Sequence, residues 1–195
     1  DGSVYTDQRI FELELERVFK RTWLFVAHES EISEPGDYQT RSLAGEPVIC
    51  VRDRDGAVRV LLNRCRHRGN LVCQHRSGNS QHFRCQYHGW TYSNNGNLIG
   101  VPYPDAYGNE FDKTQFGLTA LPAVASYRGL IFAAFTQKVP ALEEHLGPAR
   151  ELIDLFVDQS PEGRILLNSG CQRSEYRGNW KFIGMDGYHT NFVHR

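Results

Sequence analysis

The chain has 195 residues, 40% of them hydrophobic and 23% charged, with a net charge of −1. That is enough for one domain with a real core, or a small domain plus part of another. The balance of charge holds no basic block that would grip a nucleic acid. The longest apolar run, Leu130 to Phe135, is far too short to span a bilayer. Neither a nucleic-acid nor a membrane partner is expected. No signal peptide is visible, and the sequence opens at Asp1 without a Met, so residues are expected before it.

The first element reads as a helix. Thr6 or Asp7 can cap it, and Phe11, Leu15, Val18 and Phe19 share one helical face through Trp23. Ser33-Glu34-Pro35-Gly36-Asp37 breaks the pattern and marks a boundary. From Tyr38 to Phe135 the signals are short strands and turns. Residues 47–52 and 58–62 flank Asp53-Arg54-Asp55-Gly56, and residues 90–93 and 98–101 flank Asn94-Asn95-Gly96-Asn97. Residues 120–127 and 130–136 turn at Arg128-Gly129. Strands at this spacing predict a small antiparallel β-sandwich or barrel. After Pro140 the pattern turns helical at Leu142, Leu146, Ala149, Ile153 and Phe156, with Pro148 tolerated at the start of a second helical piece. Residues 165–170 read as a strand.

The five cysteines, Cys50, Cys65, Cys73, Cys85 and Cys171, are an odd number and do not resemble a disulfide scaffold. Two of them stand beside histidines at metal-ligand spacing, which points to a reducing cytoplasm. Cys50, Cys73 and Cys171 are read as small buried residues. His28, His75, His82 and His145 are read as surface or packing histidines, and Arg52-Asp53-Arg54-Asp55 as a solvated turn.

The strongest chemical signal is Cys65-Arg66-His67, then seventeen residues, then Cys85-Gln86-Tyr87-His88. Two thiolates and two imidazoles are the mixed set that a Rieske-type [2Fe–2S] centre requires, with the cysteines on one iron and the histidines on the other. Each loop must then supply one of each, and both do. Gly69 after the first loop allows backbone N–H groups to approach the cluster. Gly89-Trp90 after the second closes that loop and offers an aromatic shield. The alternative is a Cys₂His₂ zinc site. Such sites more often pair their cysteines in one knuckle, and a Cys-x-His half is unusual there.

On these residues, and on Tyr87-His88-Gly89-Trp90-Thr91-Tyr92, the chain resembles the α subunits of Rieske non-haem iron aromatic-ring-hydroxylating oxygenases over essentially its whole length. Respiratory Rieske proteins carry an extra, disulfide-forming Cys in each loop. Asn70 and Tyr87 stand at the similar positions here, which implies the lower-potential oxygenase and ferredoxin type.

A second signal lies near the C-terminal end, where Asp186-Gly187-Tyr188-His189 is followed, after four intervening residues, by His194. Mononuclear Fe(II) that activates O₂ commonly takes two His and one carboxylate. Residues five apart on an ideal helix are separated by about 140°, so the pair needs a bulge or a helix end between them. Taken alone, the two histidines are more readily partly exposed or packing residues than ligands. The resemblance, which includes Asn179-Trp180-Lys181, implies that His189 and His194 are iron ligands. It also implies that Asp186 is the carboxylate joining this site to a Rieske histidine of a neighbouring subunit. Family members carry a longer stretch with Glu-Asn before the Asp; here only residues 182–185 intervene. Their third ligand is an Asp far downstream, so the chain is expected to be the N-terminal part of a longer subunit.

The expected organisation is α+β. Residues 1–35 would be an N-terminal helical segment of the catalytic domain, residues 36–138 an all-β Rieske [2Fe–2S] domain, and residues 139–195 the truncated beginning of the mononuclear-iron domain. The resemblance implies the terminal oxygenase component of a multicomponent aromatic-ring dioxygenase or monooxygenase. A reductase using NAD(P)H, with or without a ferredoxin, would feed the cluster, which passes electrons to Fe(II) for O₂ activation on an aromatic substrate. It implies a homotrimer, or a trimer with a small β subunit. The alternative function is a Rieske ferredoxin with no oxygenase site of its own.

Overall fold

The computed structural model describes residues 1–167 and 175–183. Two helices open the chain, α1 (Ser3–Thr6) and α2 (Gln8–Arg17). Asp7 caps α2, its carboxylate accepting from the Arg9 N–H at 2.8 Å, which satisfies one of the free first-turn amides. The helix expected to run through Trp23 stops at Arg17, and a 3₁₀ turn at Phe19–Arg21 follows.

The strands come next. They are β1 (Leu24–His28), β2 (Asp37–Leu43), β3 (Glu46–Arg52), β4 (Val58–Leu62), β5 (Ser77–Asn79), β6 (His82–Arg84), β7 (Thr91–Ser93), β8 (Leu98–Gly100), β9 (Ala123–Tyr127) and β10 (Leu130–Ala134). They form three antiparallel sheets in the orders β1-β10-β9, β4-β3-β2-β5 and β6-β7-β8, which is the antiparallel β architecture the spacing predicts. Helices α3 (Leu142–Leu146) and α4 (Ala149–Val157) follow, with Pro148 at the N-cap of α4. No helix among the described residues is long and apolar enough to cross a membrane.

Strand β1 lies inside the segment expected to be helical. Five residues are too few for periodicity to decide. Burial of Val26 and Ala27, and pairing with β10, decide for a strand. Residues 165–167 do not form the expected strand. The rest of that stretch, and with it Cys171, lies outside the described residues.

Strand β3 organises the interior. Val48, Ile49, Cys50 and Val51 are all fully buried, and because successive side chains point to opposite faces they serve two cores. Ile49 and Val51 join Leu61, Phe83, Trp90 and Tyr92 beneath the two cysteine loops. Val48 and Cys50 join Val26, Leu43, Val60 and Ile131 on the other side. The loops that carry chemistry therefore rest on one face of a strand whose other face anchors the β1-β10-β9 sheet.

The expected turns are present at Asp53–Gly56, where the Gly56 N–H donates to the Asp53 carbonyl, and at Ser93–Gly96. The acidic turn is not fully solvated. Asp53 is buried and accepts from the Arg59 guanidinium at 2.8 Å, because an ionised carboxylate is stable in the interior only when paired.

Candidate metal centre

Two loops of the same shape present the four candidate ligands. The first follows β4, and the second closes the β6–β7 hairpin between Arg84 and Thr91. In the first, the Gly69 N–H donates to the Cys65 carbonyl and the Cys65 N–H to the Asn70 carbonyl, each at 2.8 Å. In the second, Gly89 donates to Cys85 at 2.9 Å and Cys85 to Trp90 at 2.8 Å. Gly69 and Gly89 sit at φ 72° and 73°, the left-handed conformation that glycine adopts without strain. A Cβ on Gly89 would also press on Pro102 at 3.0 Å. The histidine stands two residues after Cys65 in the first loop and three after Cys85 in the second.

The twin loops bring like to like. The Nδ1 atoms of His67 and His88 lie 3.1 Å apart, with the ring planes at 73°. The Cys65 and Cys85 thiols are neighbours and are not joined in a disulfide. Both cysteines are buried and both histidines half-exposed. Among the described residues no group of three or more His, Cys, Asp or Glu is arranged around one ion. The four side chains form a thiol pair and an imidazole pair, a donor set that fits a two-iron cluster ligated by cysteines at one iron and histidines at the other.

Burial pushes the Cys65 thiol up. Burial acts the same way on Cys85, but hydrogen bonds from the Tyr87 and His88 backbone and from the Asn70 side chain outweigh it and hold that thiol below its ordinary range. Cys85 is thus the readier thiolate of the pair. Burial, then the nearby His88 and Arg68 charges, hold His67 below the usual imidazole value, which keeps the ring neutral as a ligand must be.

Surrounding side chains hold the loops. Trp90 stacks on His67, with centroids 5.0 Å apart and planes at 10°, and its indole N–H donates to the Tyr107 hydroxyl at 3.0 Å. This is the aromatic shield expected after Gly89. The Tyr92 hydroxyl lies 3.3 Å from the Cys65 sulfur and accepts from the Arg66 N–H at 3.1 Å. Asn63, buried at 2% exposure, fastens the base of the first loop. Its amide donates to the Cys73 carbonyl at 2.7 Å, and its oxygen accepts from the Val72 and Cys73 N–H groups at 3.0 and 2.9 Å. A cleft of about 850 Å³ opens over the histidine side, lined by His67, Arg84, Tyr87, His88 and Tyr103 among others.

Asn63 and the Asn70 side chain were not legible as site residues in the sequence. One signal bears on the loops: Cys-x₃-Gly occurs in both, at Cys65–Gly69 and Cys85–Gly89. Cys50 and Cys73 are buried, as expected. His28 is a packing histidine, and His75, His82 and His145 are exposed. Asp186, His189 and His194 lie outside the described residues.

With this geometry in place, the comparisons with known proteins define the class. Residues 22–128 match the Rieske [2Fe–2S] domain, and the chain belongs to that family. Its curated relatives include the α subunits of toluate 1,2-dioxygenase from Pseudomonas putida and of N,N-dimethyl phenylurea N-demethylase from Sphingobium sp. Each is 42% identical over 98% of this chain, covering 43% and 41% of the relative. Among solved structures, naphthalene 1,2-dioxygenase from Rhodococcus sp. superposes with a TM-score of 0.88 at 43% identity, covering all of this chain and 45% of the other. The chain therefore spans less than half the length of these relatives.

Proposed function

We propose that this chain is the cluster-bearing part of the α subunit of a terminal ring-hydroxylating oxygenase, with Cys65, His67, Cys85 and His88 as the cluster ligands. The observation that carries the reading is the pairing of two imidazole Nδ1 atoms and two thiols on twin loops. When bound, the cluster supplies one-electron transfer. The protein's part is to bury the cysteine side, hold His67 against Trp90, and leave the histidine edge facing the cleft. Similarity over 97–98% of the chain to dioxygenase and demethylase α subunits, including residues beyond the cluster domain, favours an oxygenase over a ferredoxin. The domain division at residues 35/36 and 138/139 belongs to the same reading.

The second iron is assigned by motif. His189 and His194 ligate a mononuclear Fe(II), and Asp186 accepts N–H bonds from an iron-ligating histidine on each side of a subunit boundary. The substrate class is an aromatic compound oxidised with O₂, in keeping with the toluate, biphenyl and phenylurea named for the relatives. Electrons come from a reductase, directly or through a ferredoxin. Arg66, Arg68 and Arg84 are exposed around the histidine edge and, among the described residues, none has a carboxylate within 4 Å, which suits an acidic donor protein. The assembly is a homotrimer or a trimer with a β subunit, working in a reducing cytoplasm where the cysteines stay unpaired.

Metal analysis of the full-length subunit tests the ligand reading. Iron with acid-labile sulfide is expected, and His67→Ala or His88→Ala should lose it. Zinc without sulfide would overturn it. One further iron beyond the cluster's two is expected for an oxygenase and absent from a ferredoxin. Asp186→Asn should keep all the iron and lose turnover by orders of magnitude, because the amide cannot accept from both imidazoles through equivalent oxygens. Near-normal product formation would remove Asp186 from the route.

A further inference from the structure

The two ligand loops are far apart along the chain, and each is closed by its own backbone bonds. Among the side chains that cross between them, Asn70 reaches from the first loop to the cysteine of the second. The Asn70 amide nitrogen lies 3.8 Å from the Cys85 sulfur and also donates to the Leu71 carbonyl at 3.0 Å. The position of Asn70 is itself fixed, because its carbonyl accepts the Cys65 N–H at 2.8 Å. Asn70 therefore belongs to the backbone of one loop and touches the candidate ligand of the other. Asn63 fastens the far end of the first loop at Val72 and Cys73, so the residue reaching across has little freedom to drift.

We infer that Asn70 is a positioning residue that ties the first ligand loop to the second and raises the reduction potential of the cluster through its N–H contact with the Cys85 sulfur. The chemistry follows from charge. Reduction adds an electron to a thiolate-ligated centre, and an N–H dipole aimed at a ligand sulfur stabilises the more negative state. Removing that donor leaves the reduced form less stabilised. At 3.8 Å the contact is long, so a roughly threefold shift in the reduction equilibrium is expected, about 28 mV for one electron at 59 mV per tenfold. The carbonyl of residue 70 still accepts from Cys65 in any side-chain variant, so the loop keeps its own closure.

The inference rests on the ligand assignment above, and the two fail differently. If Cys85 is no ligand, Cys85→Ala keeps the cluster, and the assignment falls first. If Cys85→Ala loses it, the test is Asn70→Leu in the full-length subunit. The variant's midpoint potential, its electron paramagnetic resonance spectrum and its iron and sulfide content are measured against wild type. A lowered potential with full cluster content supports the tie, and an unchanged potential overturns it. Should Asn70→Leu not hold the cluster, Asn70→Asp keeps the shape while replacing the donor by an acceptor, and its potential is read in the same way. Loss of the cluster from both variants with the β core folded by circular dichroism supports the tie. Loss of the folded core as well overturns it, because Asn70 would then be a folding residue.

Discussion

The Tyr92 hydroxyl stands between a loop amide and a cysteine sulfur, and its direction is set by what it receives. It accepts from Arg66 N–H, so its own proton is free for Cys65. Burial first, then the Cys65 contact, hold the phenol above its ordinary value, so it remains a donor throughout the working pH range. Tyr92→Phe should lower the midpoint potential by roughly 60 mV, the one-electron equivalent of a ~1.4 kcal/mol hydrogen bond. It should also destabilise the fold by about 1–3 kcal/mol, because the Arg66 N–H loses its partner. Redox titration and thermal unfolding of the same variant check both. Gly129 is constrained differently. It sits at φ 86°, and a Cβ there would run into the buried His28 imidazole. Gly129→Ala should destabilise by roughly 3 kcal/mol or more, measured by denaturant unfolding.

Legibility at the level of elements followed turn chemistry. The β3–β4, β7–β8 and β9–β10 hairpins were readable because Asp-Gly, Asn-Gly and Arg-Gly announce their turns. The β2–β3 hairpin was not, because its turn is Ala44-Gly45, at φ 48° and 80°, and alanine gives no signal for a left-handed position. The cysteine and histidine spacing exposed the four candidate ligands. Their asparagine supports were hidden, since a polar residue's value as a strut appears only when its distant backbone partners are known. The Ala44 geometry also yields a prediction. A left-handed alanine stores about 1 kcal/mol or more, and Asn-Gly is the preferred pair for this turn. Ala44→Asn should therefore stabilise by roughly 1 kcal/mol, seen as a rise in melting temperature with the cluster signal unchanged.

Across the whole molecule, residues distant in sequence close on one another. Tyr5 stacks on Phe182 at 4.6 Å, Phe19 meets the Trp180 ring edge-on at 4.9 Å, and the Asn179 amide donates to the Tyr5 carbonyl at 3.2 Å. At the centre of these contacts Glu14 of α2 accepts from the Trp180 indole at 2.8 Å and from the Lys181 ammonium at 2.5 Å. The pairing agrees with the proposal that the N-terminal helical segment belongs with the part that comes after the cluster domain. It also has a pH signature. The Lys181 hydrogen bond first, then that of Trp180, hold the Glu14 carboxyl below its ordinary 4.5. A carboxyl with a lowered value in the folded state contributes stability above its unfolded value, and that contribution is lost as pH falls through the folded one. Wild type should therefore lose stability from about pH 4.5 downward. Glu14→Gln keeps the shape and an acceptor for Trp180, but it cannot titrate. Its stability should be lower than wild type at neutral pH, and the two curves should converge in acid. Denaturant unfolding of both proteins across this range measures the difference. Parallel curves would mean that Glu14 does not join the segments in solution.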